Sequence, residues 1–163
     1  MSEMRKVIVN STPIIALSKV GRLGLLQQMY GEIIIPYAVY QEVTEKNDAA
    51  VRAIKDNASW MHIVRISDQA DRKMYKARLH EGEVEVMILA QEIHADLVII
   101  DDLAARKTAE YLDLTLTGTI GILVKAKRLG LISEVMPIIK EMESHNIYFS
   151  ESLISRIRKL ANE

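Results

Sequence analysis

Polar side chains with oxygen atoms follow three apolar segments of this sequence, at the point where each segment ends. Asn10 follows "VIV", the pair Asp101 and Asp102 follows "LVII", and "TGT" at 117–119 follows "LTL". If these segments are parallel strands, their carboxyl ends meet at one edge of a sheet, where open α/β sheets bind ligands. No histidine or cysteine stands at these three positions.

Two glutamates on predicted helices extend this oxygen cluster. Glu42 lies beside Val43 on the apolar side of "YAVYQEVTEK", and Glu83 opens the apolar helix "EGEVEVMILAQEI". A carboxylate on an apolar face costs several kcal/mol when it has no partner. Oxygen ligands without imidazole or thiolate favour Mg²⁺ or Mn²⁺, and such a site stabilises an in-line phosphoryl displacement. The pattern therefore indicates phosphodiester cleavage.

Each of these residues also has an ordinary structural explanation. Thr12 is expected to cap a helix that has Pro13 at its first position, and Asp101 or Asp102 could cap the following helix. Glu83 suits the positive end of a helix dipole, and "TGT" is a typical turn and cap. Glu42 could be a solvated residue at a helix border. Only the convergence at strand ends favours a functional site.

Strands and helices alternate along the whole sequence, which predicts a three-layer α/β/α sandwich with a central parallel sheet of about five strands. We expect one domain over 1–163. Predicted strands are 7–9, 32–36, 61–66, 95–100 and a strand end within 114–119. Predicted helices are one from Thr12 to a break at Gly21 or Gly24, one after it, and 37–46, 48–57, 68–79, 81–93, 103–112, 120–129, 132–144 and 151–161.

Composition narrows the function classes. The chain has 163 residues, 49% of them apolar, with a formal net charge of -1, so there is no overall basic excess for nucleic acid. It has no cysteine, which excludes disulfides and thiolate zinc sites and fits a cytoplasmic location. No apolar run approaches the roughly 20 residues of a membrane helix, so no membrane association is expected. Neither GxGxxG nor a Gly-x4-Gly-Lys loop occurs, which leaves other nucleotide-binding folds without support.

The order of the motifs resembles the PIN domain, the family of metal-dependent ribonucleases that includes VapC-type toxins of toxin–antitoxin pairs. The resemblance covers residues 6 to about 132 and rests on "VNSTPIIAL", "IPYAVYQEV", "GEVEVMILA" and "LVIIDDLAARKTAEYLDLTLTGTIGIL". It is closest to a less characterised prokaryotic PIN-like subgroup with "GEAEAI", "IDDxxAR" and "TGTLG" signatures. The resemblance implies RNA as substrate, an antitoxin protein as a possible partner, and a homodimer, for which Leu25, Leu26, Leu153 and Ile154 are candidate contacts.

The resemblance also implies roles for individual residues. Catalytic residues would be Glu42, Glu83 and Asp102, and the Mg²⁺ or Mn²⁺ ligands would be Asn10, Glu42, Glu83, Asp101 and Asp102. The choice between Asp101 and Asp102 stays open, because neighbours in a strand point in opposite directions. Substrate-binding candidates are Arg106, Thr12 and Thr119, and the last helix could add Arg156, Arg158 and Lys159 or form an amphipathic lid.

Asn10 departs from the PIN pattern, which usually has Asp at this position. An amide offers one neutral carbonyl oxygen and removes one negative charge, so affinity for a divalent cation should fall. Two hypotheses remain. One is a Mg²⁺- or Mn²⁺-dependent PIN ribonuclease, with a toxin of a toxin–antitoxin pair as one form of it. The other is a PIN-fold module that binds nucleic acid or protein and cleaves poorly or not at all.

Overall fold

The fold is a five-stranded parallel sheet flanked by helices in a three-layer α/β/α arrangement, as predicted. It is seen in a computed structural model that describes residues 5–46, 48–67, 72 and 79–163. The strands are β1 (Val7–Val9), β2 (Ile33–Pro36), β3 (Met61–Val64), β4 (Leu97–Ile99) and β5 (Leu116–Thr117). Their order across the sheet is β3-β2-β1-β4-β5, so β1 is central.

The strands form where β-branched residues run together without a polar interruption. Ile8 of β1 is fully buried and pairs with Ile34 of β2 on one side and Val98 of β4 on the other. Strands covered on both faces show such continuous apolar runs. Because β1 and β4 are adjacent and parallel, the residues that follow them emerge at the same edge of the sheet.

Helices occupy most of the remaining described chain. Their bounds are α1 (Ser11–Lys19), α2 (Gly24–Tyr30), α3 (Tyr37–Lys46), α4 (Asp48–Asp56), α5 (Glu81–Glu92), α6 (Leu103–Tyr111), α7 (Thr119–Arg128), α8 (Met136–Ser144) and α9 (Glu151–Ala161). Helix α1 packs against α3 and α4, α3 packs against α5, and α7 packs against α9.

Several boundaries differ from the predictions. Thr12 does not cap α1, because the helix already begins at Ser11 and Asn10 takes the N-cap position. Helix α8 begins at Met136 rather than at 132, and the third and fourth strands end two and one residues early. Ser150 caps α9 as expected, accepting the N–H of Leu153 at 3.2 Å. The helix predicted over 68–79 lies almost entirely outside the described residues.

The carboxylate of Glu163 connects the last three helices. Glu163 Oε2 accepts the N–H of Val135 at 2.8 Å, and Oε1 accepts the N–H of Met136 at 2.9 Å, at the start of α8. Lys127 Nζ of α7 donates to Oε2 at 3.0 Å. This contact, the Glu163 clamp, ties the end of α9 to α7 and α8.

The apolar residues expected at a dimer interface are largely core residues. Leu25 is 4% exposed and Leu26 is fully buried, so neither can present a surface to a partner. Leu153 and Ile154 are half-buried and pack against the core. The helices of the described chain are all too short or too polar to cross a membrane.

Candidate functional site

The candidate site lies at the edge of the sheet where β1, β4 and β5 end. Asn10 follows β1 directly, Asp101 and Asp102 follow β4, and Thr119 opens α7 after β5. The N–H of Asn10 donates to Ile99 O at 2.9 Å, which extends the β1–β4 ladder to the positions that precede the acids. The expected meeting of strand ends is therefore present.

Asn10 is the unusual polar residue of this edge. Its side chain is buried, with the residue 3% exposed, and it makes no capping hydrogen bond to α1. Among the buried side-chain atoms of the described residues, Asn10 Oδ1 is the one without a hydrogen-bond partner. An unsatisfied buried acceptor costs about 1–3 kcal/mol, so its presence calls for a donor or a cation that this oxygen serves.

Glu83 is buried in the first turn of α5, with the residue 5% exposed. Its Oε1 accepts the N–H of His80 at 2.9 Å, which closes the N-terminus of the helix. Burial raises the pKa of Glu83, and the charge of Asp102 and a hydrogen bond with it raise the pKa further, against the lowering effect of the His80 N–H. The carboxyl groups of Glu83 and Asp102 thus lie close enough to interact.

Glu42 connects helix α1, which begins at Ser11, with helix α5, which carries Glu83. Ser11 donates its hydroxyl to Glu42 Oε2 at 3.0 Å, and the N–H of Gly82 donates to Oε1 at 2.9 Å. A Cβ at Gly82 would stand 2.8 Å from Glu42 Oε1, so only glycine permits this approach. Glu42 therefore holds the start of α5 against the start of α1.

Asp101 and Asp102 have different surroundings. Asp101 accepts the N–H of Thr119 at 2.8 Å and its hydroxyl at 2.6 Å, so both carboxylate oxygens are used at the start of α7. Asp102 Oδ2 caps α6 by accepting the N–H of Ala105 at 2.9 Å, and its carboxyl group faces Glu83. The geometry places Asp102, rather than Asp101, beside Glu83.

Glu85 shows what a buried acid of α5 looks like when it serves structure alone. It is as buried as Glu83, at 5% exposed. Its Oε1 accepts the N–H of Ala38 at 3.0 Å, and Arg72 Nη1 donates to Oε2 at 2.8 Å. A cation and a backbone donor balance this carboxylate, whereas Glu83 faces a second acid.

The substrate-binding candidates line two cavities beside the acids. Arg106 donates from Nη1 to Ile100 O at 2.9 Å and lines a cavity of about 400 Å³. Thr12 is exposed and, with the buried Thr119, lines a neighbouring apolar cavity of about 240 Å³. Thr119's hydroxyl is used by Asp101, so it supports the edge rather than offering a free donor.

The donor set fits a hard divalent cation. The chain offers two facing carboxyl groups, Glu83 and Asp102, and an orphaned amide oxygen on Asn10 at the same edge. In the described part of the chain, no three Asp, Glu, His or Cys side chains are grouped so as to hold a metal. Mg²⁺ suits such a sparse set, because it is commonly bound by one or two carboxylates and keeps several waters.

Glycines that allow close approaches were missed at the sequence level. Besides Gly82, Gly118 lies so close to Asp101 that an added Cβ would stand 2.7 Å from Oδ1 and 2.9 Å from Arg106 Nη1. The signal was available, since Gly82 precedes the predicted acid Glu83 and Gly118 sits inside "TGT". The aromatic residues Tyr148 and Phe149 beside the apolar cavity carried no recognisable pattern.

Comparison with known proteins gives a family and a fold. The family model described as "DUF3368: PIN domain" matches residues 6–163. The crystal structure of PAE2754 from Pyrobaculum aerophilum is similar in fold, with a TM-score of 0.56 and 12% identity over 75% of this chain and 89% of that chain. No curated protein matches the sequence.

Proposed function

We propose, since this chain belongs to the PIN-domain family, whose members are generally nucleases, that it hydrolyses phosphodiester bonds in RNA. PIN domains generally use divalent metal ions. We further propose that the ion here is Mg²⁺ or Mn²⁺, held by Glu83 and Asp102 together with Asn10 Oδ1. The observations that carry the proposal are the interacting carboxyl groups of Glu83 and Asp102 and, at the same sheet edge, the buried Asn10 oxygen that lacks a donor.

A cation bound at these oxygens would supply charge stabilisation for a phosphoryl group and a water of lowered pKa. The chain's own residues prepare the place for it. Burial and the hydrogen bond from the His80 N–H keep Glu83 in one orientation, and the hydrogen bond from the Ala105 N–H holds Asp102. Both carboxyl groups therefore need little rearrangement before they can bind.

Glu42 and Asp101 take positioning roles in this proposal. Glu42 accepts one hydrogen bond from the Ser11 hydroxyl and another from the Gly82 N–H, so it sets the distance between α1 and α5. Asp101 holds Thr119 and the start of α7. Each also places an acidic side chain near the edge, which raises the local attraction for a cation without requiring direct contact.

Arg106 is the residue to which we assign binding of the substrate phosphate. Only one of its guanidinium N–H groups is used by Ile100 O, and the residue is half-buried at the wall of the cavity that Asp101 also lines. A guanidinium offers several donors in a plane and matches a phosphate well. Thr12, exposed in the first turn of α1, lines the neighbouring apolar cavity together with Asp101.

A second candidate function is a PIN-fold module that binds nucleic acid or protein and cleaves poorly. The observations that favour it are Asn10 at the position of the usual acid and the lack, among the described residues, of a three-acid group. A toxin role, with an antitoxin partner and a homodimer, extends the first proposal, and its support is the family resemblance alone.

The test is cleavage of a labelled RNA by the wild-type chain in Mg²⁺, in Mn²⁺ and in EDTA, beside Glu83→Gln and Glu85→Gln. These variants remove one carboxylate each from the same helix and from equally buried positions. We expect cleavage in either metal, none in EDTA, and a loss of at least about 100-fold in Glu83→Gln, because losing a ligand costs more than losing its support. Glu85→Gln should retain activity at temperatures where it remains folded.

Two outcomes would count against the proposal. Equal activity of Glu83→Gln and wild type would remove Glu83 from the site, and activity that persists in EDTA would remove the cation. If wild type binds RNA but never cleaves it in either metal, the second candidate function replaces the first.

A further inference from the structure

Two cavities flank the acids on the side of α7 and α9 and share a dividing ridge. The ridge consists of Asp101, Ile120 and Leu153, which line both cavities. One cavity, the arginine cleft, has a volume of about 400 Å³ and is lined beyond the ridge by Arg106, Arg156 and the backbone of the β5–α7 turn. The other, the aromatic cavity, has about 240 Å³.

The arginine cleft is suited to an anion. Two guanidinium groups line it, against one acid, Asp101, whose two oxygens already bond to Thr119. Arg106 is anchored through Ile100 O, and Arg156 is exposed on α9, so the two cations approach the cleft from different elements. Such a pair can hold a phosphate in a defined position beside the acids.

The aromatic cavity is suited to a flat, largely apolar group. Its lining includes Ala16, Met142, Ile147 and Phe149, and it also includes Tyr148, which is 87% exposed. An exposed tyrosine beside an apolar cavity offers a ring on which a nucleic-acid base can stack. Its small volume suits one base and excludes a base pair.

We propose, as an extension of the proposed function, that these two cavities hold one nucleotide of a single-stranded RNA next to the cleavage site. The base enters the aromatic cavity and stacks on Tyr148, and the phosphate lies in the arginine cleft between Arg106 and Arg156. The ridge separates the two groups as the sugar separates them in a nucleotide. A paired base cannot enter, so the site selects unpaired RNA.

The test measures binding of a short, labelled, single-stranded RNA to the whole chain in EDTA, where the proposed cation is absent. Arg156→Gln should weaken binding about three- to tenfold and reduce the salt dependence by about one phosphate contact. The matched control is Arg128→Gln, which removes the same charge from an exposed position of α7 outside the lining of the arginine cleft. It should change affinity by less than about twofold, as a charge without a direct phosphate contact does.

The proposed stacking of the base on Tyr148 is tested by comparing Tyr148→Ala with Tyr111→Ala. Tyr111 is equally exposed but does not line the aromatic cavity. We expect Tyr148→Ala to weaken single-stranded binding at least about fivefold, the lower end for loss of one stacked base, and to leave duplex binding unchanged. Tyr111→Ala should leave both unchanged.

The inference is overturned if Arg156→Gln and Arg128→Gln weaken binding equally, which would show a general attraction to positive charge, or if Tyr148→Ala binds RNA as wild type does. Its failure is separable from that of the proposed function. Binding is measured without metal. If wild type cleaves RNA but the Arg156→Gln and Tyr148→Ala variants bind RNA as tightly as wild type, only the nucleotide site is refuted. A chain whose Glu83→Gln variant still cleaves, but whose Tyr148→Ala variant binds weakly, refutes the metal assignment alone.

Discussion

Two carboxylates of this molecule, Glu163 and Glu83, stand in opposite surroundings. Glu163 receives hydrogen bonds from two backbone N–H groups at the start of α8 and from the ammonium of Lys127. Burial alone would raise the pKa of Glu163, but these donors together lower it. Glu83 receives one backbone donor and faces the carboxyl group of Asp102, and its pKa is raised.

The opposite pKa shifts indicate that the charge of Glu163 stabilises the fold, whereas the charge of Glu83 destabilises it. In the Glu163 clamp, charge and donors are balanced, so ionisation favours the folded state. At the sheet edge, two carboxyl groups and the orphaned Asn10 Oδ1 leave an excess of acceptors over donors. An arrangement of that kind costs stability, and a cation would balance it. The contrast supports function at the edge and structure at the clamp.

The largest expected effect concerns Glu83 in the metal-free protein. Its pKa is raised on folding, so the folded state holds the proton more tightly and stability falls as pH rises from the ordinary carboxyl value through the raised one. Glu83→Gln removes that charge but can still accept the His80 N–H. We expect it to gain roughly 1–2 kcal/mol of unfolding free energy at neutral pH, the scale of one relieved buried polar contact.

The measurement is urea unfolding in EDTA at a series of pH values. The gain should shrink as pH falls below the ordinary value of a glutamate, where wild type is also protonated. If Glu83→Gln is less stable than wild type at neutral pH, hydrogen-bond donors stabilise the charge of Glu83 as they do that of Glu163. The proposed contrast between the two acids would then be wrong.

A smaller effect of opposite sign is expected at the clamp. The pKa of Glu163 is lowered on folding, so its contribution is present above the ordinary carboxyl pKa and is lost as pH falls through the lowered one. Glu163→Gln should cost about 1 kcal/mol at neutral pH, as expected for loss of charge at a helix N-terminus. Thermal unfolding at neutral and acidic pH checks it. A cost that stays constant over the whole acidic range would mean that the charge of Glu163 is irrelevant.

The sequence predicted the sheet and the strand-end acids well, for a physical reason. Buried parallel strands require unbroken apolar runs, and β1 and β4 show them plainly, so the residues after them could be placed at one edge. Thr12 was assigned to the wrong position because Ser, Thr and Asn in succession all suit a cap, and only the backbone decides among them.

The partners of the acids could not be predicted, because they depend on contacts between distant segments. Nothing in "EGEVEV" distinguishes Glu83 from Glu85, yet one faces Asp102 and the other meets Arg72. The different partners of Asp101 and Asp102 likewise depend on the β5–α7 turn, which brings Thr119 to Asp101. The Glu163 clamp joins three helices and has no local signature either.

The central claim, that the sheet edge is a set of oxygens suited to a divalent cation, is tested most directly by titrating Mn²⁺ into the metal-free chain by calorimetry. Wild type, Asn10→Asp, Glu83→Gln and Glu85→Gln are compared. Asn10→Asp restores a carboxylate at a buried position beside α1, so we expect its affinity to rise at least about tenfold. Glu83→Gln should lose binding, and Glu85→Gln should bind as wild type. Unchanged affinity in both Asn10→Asp and Glu83→Gln would contradict the claim.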